Sequence, residues 1–345
     1  MNCRSRVLRP SLGLLLGLAL AASSWAAGDA PKKTVPPKPK APSTLTVGLP
    51  PPPPGSEGNF PRPVTSWLEA QIALAREGIS SGSIDGIPGA QSVAALQAWQ
   101  EREGLDPTGT LDPATKEQLQ LKSPPLVWTI LAQEDFDRLQ PLSPTWLGKS
   151  QQTVLDYETA LELVAERSHA APSLIQRLNP KLDWKQVHAG SVITVPSVEL
   201  DAPLPRVILV HISLSQHTLE ARDEDDRLVA HFPVSIAHMV EKRPAGELHV
   251  TVVIPDPNYT FDPDVFPESP EARQIGHKLI LPPGPNNPVG VAWIGLDRTG
   301  YGIHGTPQPE NVGRTESHGC FRLANWDART MLDLAWAGLR VVVDP

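Results

Sequence analysis

His304-Gly305-Thr306 and, further along, Ser317-His318-Gly319-Cys320-Phe321-Arg322 hold the residue types that a cysteine nucleophile needs. Cys320 is one of two cysteines in the chain; the other, Cys3, precedes an apolar run near the N-terminus. A thiol attacks only as thiolate, and at neutral pH it is mostly protonated. An imidazole can take that proton, and two are close in sequence. His318 stands two positions before Cys320, so on an extended strand both side chains share a face. His304 follows Tyr301-Gly302-Ile303, which reads as a strand end. The stretch Thr306 to Glu316 reads as a surface loop that lets the strand return beside the thiol. Gly319 allows close backbone packing, so N–H groups near Cys320 are candidates for an oxyanion hole. Arg322 offers a guanidinium fork for a carboxylate.

Each residue alone has a plainer explanation. A lone cysteine is often a buried structural thiol, and His304 and His318 could be strand or loop histidines satisfied by backbone. Together, with Arg322 and this spacing, they favour catalysis. A zinc hydrolase is the competing enzyme class, but no H-E-x-x-H spacing occurs. Asp256, Asp262 and Asp264 alternate with Pro255, Pro257 and Pro263 and read as an ordinary Pro/Asp loop. No metal and no cofactor is expected.

The elements that must position these residues have a period of two from Leu204 onward. Val207 to Ile212 and His217 to Ala221 read as paired strands about a short turn, followed by strands over Leu228 to Ile236 and Leu248 to Ile254 and a terminal strand Leu339 to Val343. One late helix is expected over about Asn325 to Ala337. Residues 204–345 therefore read as a mainly β, β-sandwich-like domain of a size that supports its own core. With Ile303-His304-Gly305-Thr306 and Ser317-His318-Gly319-Cys320-Phe321-Arg322-Leu323, this domain resembles the L,D-transpeptidase catalytic (YkuD) family. That resemblance implies Cys320 as acyl-accepting nucleophile and His304 as general base and acid, with the Gly305 carbonyl orienting His304. It implies that His318 and Gly319 support the thiol or the oxyanion. Arg322, Ser317 and Tyr301 would contact the substrate. Phe321 is bulkier than the usual Ile or Val of the family.

Ahead of this domain, Arg4, Arg6 and Arg9 precede the apolar run Leu12 to Ala22, with small residues near Ala26 and Ala27. Residues 1–27 read as an export signal, too short in its apolar part to span a bilayer. Residues 28–65 mix Pro and Lys, with an unbroken Pro50 to Pro54, and read as an extended linker. Residues 66–121 carry helices separated by the turns Asp85-Gly86-Ile87-Pro88-Gly89 and Asp106 to Pro113, with Asp112 as N-cap and Pro113 at the first helical position. This stretch resembles the type 1 peptidoglycan-binding family. Residues 122–152 read as a connector, in which Val127 to Ile130 is a candidate strand and Glu134 to Leu139 a candidate helix. Residues 153–197, with Leu-Asn-Pro at 178–180 and Ala-Gly-Ser-Val-Ile-Thr-Val-Pro at 189–196, resemble a LysM module, for which a βααβ fold is implied. The family's Gly-Asp-Thr opening is here Asp156-Tyr157-Glu158-Thr159-Ala160.

The whole reads as a multidomain α+β chain with a formal net charge of −8. No basic stripe lies outside the Lys/Pro linker, which argues against nucleic acid as partner. The resemblances imply peptidoglycan as partner, with one tetrapeptide stem as acyl donor and another stem as acceptor. They imply transfer through a cysteine thioester to a 3→3 cross-link; hydrolysis or D-amino-acid exchange at the same site, or a non-catalytic wall-binding scaffold, are the alternatives. The expected location is the periplasm or cell envelope.

Overall fold

The computed structural model describes residue 53 and residues 55–265, 270–314 and 319–345. The expected export signal and residues 28–52 and 54 of the expected linker lie outside them; the linker's end is folded instead, since Arg62–Pro63 pairs with Gln120–Leu121 and Val64 is buried against the first unit. So do Ser317 and His318.

The first unit is a short pair of strands closing three helices: β1 (Arg62–Pro63), α1 (Trp67–Arg76), α2 (Ala90–Arg102), α3 (Pro113–Gln118) and β2 (Gln120–Leu121). Ser66 caps α1, accepting from the Glu69 N–H, and Asp112 caps α3 at 2.8 Å from the Thr115 N–H, with Pro113 next. Two buried glutamines fix the turns between helices. Gln71 Oε1 accepts from the Gly86 N–H at 2.7 Å while its Nε2 donates to Asp85 and Ser92. Gln100 does the same for the second turn, accepting from the Gly109 N–H at 2.8 Å and donating to Thr108 and Thr115. A buried amide satisfied at both ends specifies one turn geometry, because each alternative leaves a donor or acceptor unpaired.

The middle unit comprises β3 (Leu126–Ile130), α4 (Gln133–Asp137), α5 (Trp146–Ser150), α6 (Ala160–Arg167), α7 (Pro172–Leu178) and β4 (Val192–Pro196). β3 pairs antiparallel with β4 from Leu126↔Pro196 to Ile130↔Val192. The expected division into a connector and a self-contained βααβ stretch over 153–197 is therefore corrected. The first strand is Leu126–Ile130, inside the supposed connector, and Thr153 to Thr159 forms no strand. Local pattern could not reveal this, since α4 and α5 separate the strand from the helices it joins. Thr159 and Glu162 form a reciprocal cap at the start of α6. Asn179 ends α7 and bonds both backbone groups of Thr194 at 2.8 Å, which locks helix to strand.

The rest of the chain supplies β5 (Leu209–Ser213), β6 (Thr218–Arg222), β7 (Leu228–Pro233), β8 (Gly246–Pro255), β9 (Tyr259–Phe261), α8 (Pro270–Ile275), β10 (Leu279–Leu281), β11 (Ala292–Leu296), β12 (Gly302–His304), β13 (Phe321–Arg322), α9 (Asn325–Leu334) and β14 (Arg340–Asp344). Instead of two separate layers, the strands form one mixed sheet in the order β13-β12-β11-β8-β14-β5-β6-β7. β8 is shared, its first half pairing with β14 and its second with β11, so the two layers expected of a sandwich-like domain are continuous through one strand, and both halves contribute to one core. β12/β13 and β14/β5 are parallel pairs; the others are antiparallel. α9, which ends at Leu334 rather than Ala337, packs Ala328 and Met331 against the core of Ile294, Ile303, Phe321, Val341 and their neighbours. β9 and β10 form a separate antiparallel pair on either side of α8.

These units are not beads on a string. Apolar side chains of the first and middle units, among them Trp99, Leu121, Leu131, Leu163 and Ile193, belong to one core that also takes in Leu228 of β7. Gly78 and Ser80 bond the backbone of His231, so the first unit covers the edge strand β7.

Candidate active site

Sheet register brings the sequence motif together. β12 runs parallel to β13 with Ile303 opposite Phe321 and His304 opposite Arg322, which sets Cys320 next to Gly302. Parallel pairing needs a crossover, and the loop from Thr306 onward supplies it. The alternation on β12 and β13 turns Ile303 and Phe321 into the core. His304 lies on the opposite face. Its cross-strand partner is Trp293 on β11, and the two rings stack with centroids 5.6 Å apart.

His304 is 4% exposed, and its Nδ1 lies 2.7 Å from the carbonyl oxygen of Gly305. A carbonyl can only accept, so Nδ1 carries the proton and Nε2 the lone pair. Burial holds this imidazole down to about 4, against the smaller upward effect of the Gly305 bond, so the ring is neutral at pH 7.

Cys320 is a thiol, half-buried, whose Sγ donates to the Gly300 carbonyl at 3.5 Å. Burial pushes its pKa up; the Gly302 N–H and the Arg322 guanidinium pull the other way and do not prevail. The resting site is therefore thiol and neutral imidazole rather than thiolate and imidazolium. Arg322 is half-buried beside the sulfur, and its backbone pairs with Ser235. Among the described residues no carboxylate forms an ion pair with it.

Tyr301 packs beside this edge: its ring lies near Gly319, 3.8 Å from where a Cβ would stand, and Arg298 stacks over it at 4.6 Å. The structure thus gathers Cys320, His304, Gly305, Gly319, Arg322 and Tyr301 at one edge of the sheet; Ser317 and His318 lie outside the described residues. Three residues here escaped the sequence reading. Trp293 sits in the alternation Ala292-Trp293-Ile294 as the one outward aromatic. Tyr259, on β9, is raised chiefly by burial, with the Cys320 sulfur adding to the rise and Arg322 opposing it. Local sequence does not single it out; in the fold Trp146 of α5 stacks on Phe261 of the same strand with centroids 4.5 Å apart and lies 6.3 Å from the Tyr259 ring. The third, Asn325, packs behind Gly305.

Two stretches of the chain match known families. Residues 205–343 match the family model described as L,D-transpeptidase catalytic domain, and residues 65–119 match the one described as "Putative peptidoglycan binding domain". The chain is 29% identical over 54% of its length, and 93% of the other's, to the Bacillus licheniformis protein named "Putative L,D-transpeptidase YkuD". It is 26% identical over 59% of its length to the Escherichia coli K12 protein named "Probable L,D-transpeptidase YcfS", of which 64% is covered. Among solved structures, L,D-transpeptidase 3 from Mycobacterium tuberculosis is similar over 46% of this chain and 77% of that one, at 17% identity and a TM-score of 0.32.

Proposed function

We propose that this chain, which carries an L,D-transpeptidase catalytic domain and a peptidoglycan-binding domain, joins peptidoglycan stems through a Cys320 thioester. The observation that carries the reading is the β12/β13 register, with His304, locked in its Nδ1–H form, opposite Arg322 and one strand away from Cys320. Because thiol and imidazole are both neutral at rest, the proton leaves Sγ as the thiol attacks: His304 Nε2 takes it while sulfur bonds to the carbonyl carbon of the third stem residue. The proton then passes to the departing D-alanine amine as its amide bond breaks, leaving the thioester. The side-chain amine of a second stem attacks the thioester carbonyl and His304 Nε2 accepts its proton. Collapse returns that proton to sulfur and leaves a 3→3 cross-link. Arg322 holds a donor carboxylate, with Ser317 and Tyr301 along the stem, and His318 and Gly319 serve the thiol and the oxyanion. Water or a free D-amino acid as acceptor gives hydrolysis or exchange.

The middle unit is read as a LysM-like module with an insertion carrying α4 and α5. The Bacillus licheniformis match, over 185 residues, is longer than the catalytic-domain match and supports kinship beyond that domain. With the export signal expected at residues 1–27, the protein works in the periplasm or cell envelope on its wall substrate.

Incubating the protein with a disaccharide tetrapeptide and weighing the products tests the reading. A cross-linked dimer, a tripeptide or an exchanged stem, each lost in Cys320→Ala, supports it and names the acceptor. No product and no covalent adduct on Cys320 would leave a wall-binding scaffold instead.

A further inference from the structure

A buried polar path runs from the middle unit to His304. Asn325, at the start of α9, is 1% exposed. Its Nδ2 donates to Glu166 Oε2 of α6 at 2.9 Å and to the Pro285 carbonyl at 3.0 Å, and its Oδ1 faces the Val291 N–H at 3.4 Å. The other Glu166 oxygen accepts from Tyr157 Oη at 2.8 Å. Asn325 Oδ1 also presses on two glycines: a Cβ added to Gly305 would stand 2.3 Å from it, and one added to Gly290 2.0 Å. Gly305 is the residue whose carbonyl holds the His304 Nδ1 proton.

We propose that Asn325 is a positioning residue for the general base and that Glu166 sets Asn325, so that the tautomer of His304 is fixed from outside the catalytic domain. The argument is one of donor and acceptor matching. If the Asn325 amide turned over, its oxygen would face the Pro285 carbonyl at any pH and, above about pH 7 where Glu166 is ionised, its carboxylate as well, acceptor against acceptor. Its NH2 would meet the Val291 N–H and crowd both glycines. Glu166 and Pro285 therefore allow one orientation, and in that orientation Oδ1 backs the Gly305 peptide whose carbonyl keeps the proton on Nδ1 and the lone pair on Nε2. Absence of a side chain at Gly290 and Gly305 is what admits Asn325 so close. The pattern matches the way outer partners fix the tautomer of functional histidines elsewhere. This inference rests on His304 being the base in the reading above.

The test uses the full chain with 15N-labelled histidine, the His304 signals being assigned by their loss in His304→Gln. Wild type should show His304 as a single Nδ1–H tautomer. Glu166→Ala and Asn325→Ala should each give a mixed tautomer and slow iodoacetamide alkylation of Cys320 at pH 7, read on its own peptide by mass spectrometry, by up to about tenfold, the span of one buried hydrogen bond. Glu166→Gln keeps an acceptor for Asn325 and lets Tyr157 Oη accept in turn, so it should restore both. If Asn325→Ala does not fold, the Glu166 pair decides. An Nε2–H tautomer in wild type, or an unchanged tautomer in Glu166→Ala, overturns the proposal. Neither readout needs turnover: loss of the tautomer effect refutes the positioning role alone, and absence of any product from the tetrapeptide refutes the functional reading alone.

Discussion

Cys320 and His304 stand on adjacent segments at the β12/β13 pair, the thiol raised and the imidazole lowered, and that sets how the site responds to pH. Burial raises the thiol above its ordinary value and lowers the imidazole to about 4, while Arg322 pulls the thiol down by less than burial pushes it up. A thiol in this state resists oxidation in an oxidising compartment, since the thiolate is the reactive form. Alkylation of Cys320 by iodoacetamide should therefore be slow at pH 7 and keep rising beyond pH 9. Arg322→Ala removes the cation, raises the thiol further and should slow alkylation at every pH below that. A plateau already reached by pH 7 would mean a thiolate–imidazolium pair and would contradict the resting state described.

At the scale of elements, single side chains hold units together that local sequence leaves separate. Arg76, in the last turn of α1 and 2% exposed, donates Nε to the Ser197 carbonyl at 2.7 Å and its two terminal nitrogens to the carbonyls of Ser123 and Pro124 at 3.0 and 2.5 Å. One fork thus ties the chain just before β3 and just after β4 to the first unit. Burial lowers the Arg76 pKa, with Asp201 opposing, but guanidinium stays charged far above neutrality. Arg76→Ala leaves three carbonyls short of a donor and should cost about 2–4 kcal/mol in urea unfolding, with little recovery in Arg76→Lys, which lacks the planar fork. A loss under about 0.5 kcal/mol, the ordinary scatter of surface changes, would count against the clamp. The middle unit's strands could not be paired from sequence for the same reason: β3 and β4 meet only through a long detour whose ends Arg76 and Asn179 fix in space.

For the molecule as a whole, the core shared by the first and middle units reaches Leu228 of β7, and Gly78 and Ser80 tie it to the edge of the sheet, which has a core of its own; this linkage predicts one cooperative unfolding transition for the described body instead of three. Two resolved transitions by calorimetry would show that the units are independent. Its pH dependence follows from four groups that burial shifts, His304 and Asp327 buried and His169 and Glu166 partly so. His169 and His304 are held to about 4 by burial, so the folded protein lacks protons that the unfolded chain takes up below about pH 6.5. Glu166 is raised to about 7 and Asp327 to about 8, again by burial, so the folded protein keeps protons that the unfolded chain has lost above about pH 4. Between roughly pH 4.5 and 6.5 the two pairs oppose one another; above that only the acids act, and stability falls as pH rises to 8. Melting temperature should decline from pH 6.5 to 8. Asp327→Asn keeps a partner for Ser80, whose hydroxyl now donates to Asp327 at 3.0 Å, and should flatten most of that decline, worth about 1 kcal/mol per pH unit. An equally steep decline in the variant would remove Asp327 as its cause.

What the sequence by itself determined is what depends on neighbours a few positions away. The cap Asp112 with Pro113 after it, the glycine turns and the terminal strand all follow from local periodicity and backbone satisfaction. The types and spacing of His304, Gly305, Gly319, Cys320 and Arg322 were likewise readable, because in this chain the two strands that carry them are joined by one loop. Only the tertiary structure decided that β3 belongs to β4, that β8 joins what looked like two layers, and that Trp293, Tyr259, Asn325 and Glu166 surround or back the site. Each of these rests on pairings between distant segments, where register and packing choose the partner and where no side chain announces in advance which carbonyl or ring it will meet.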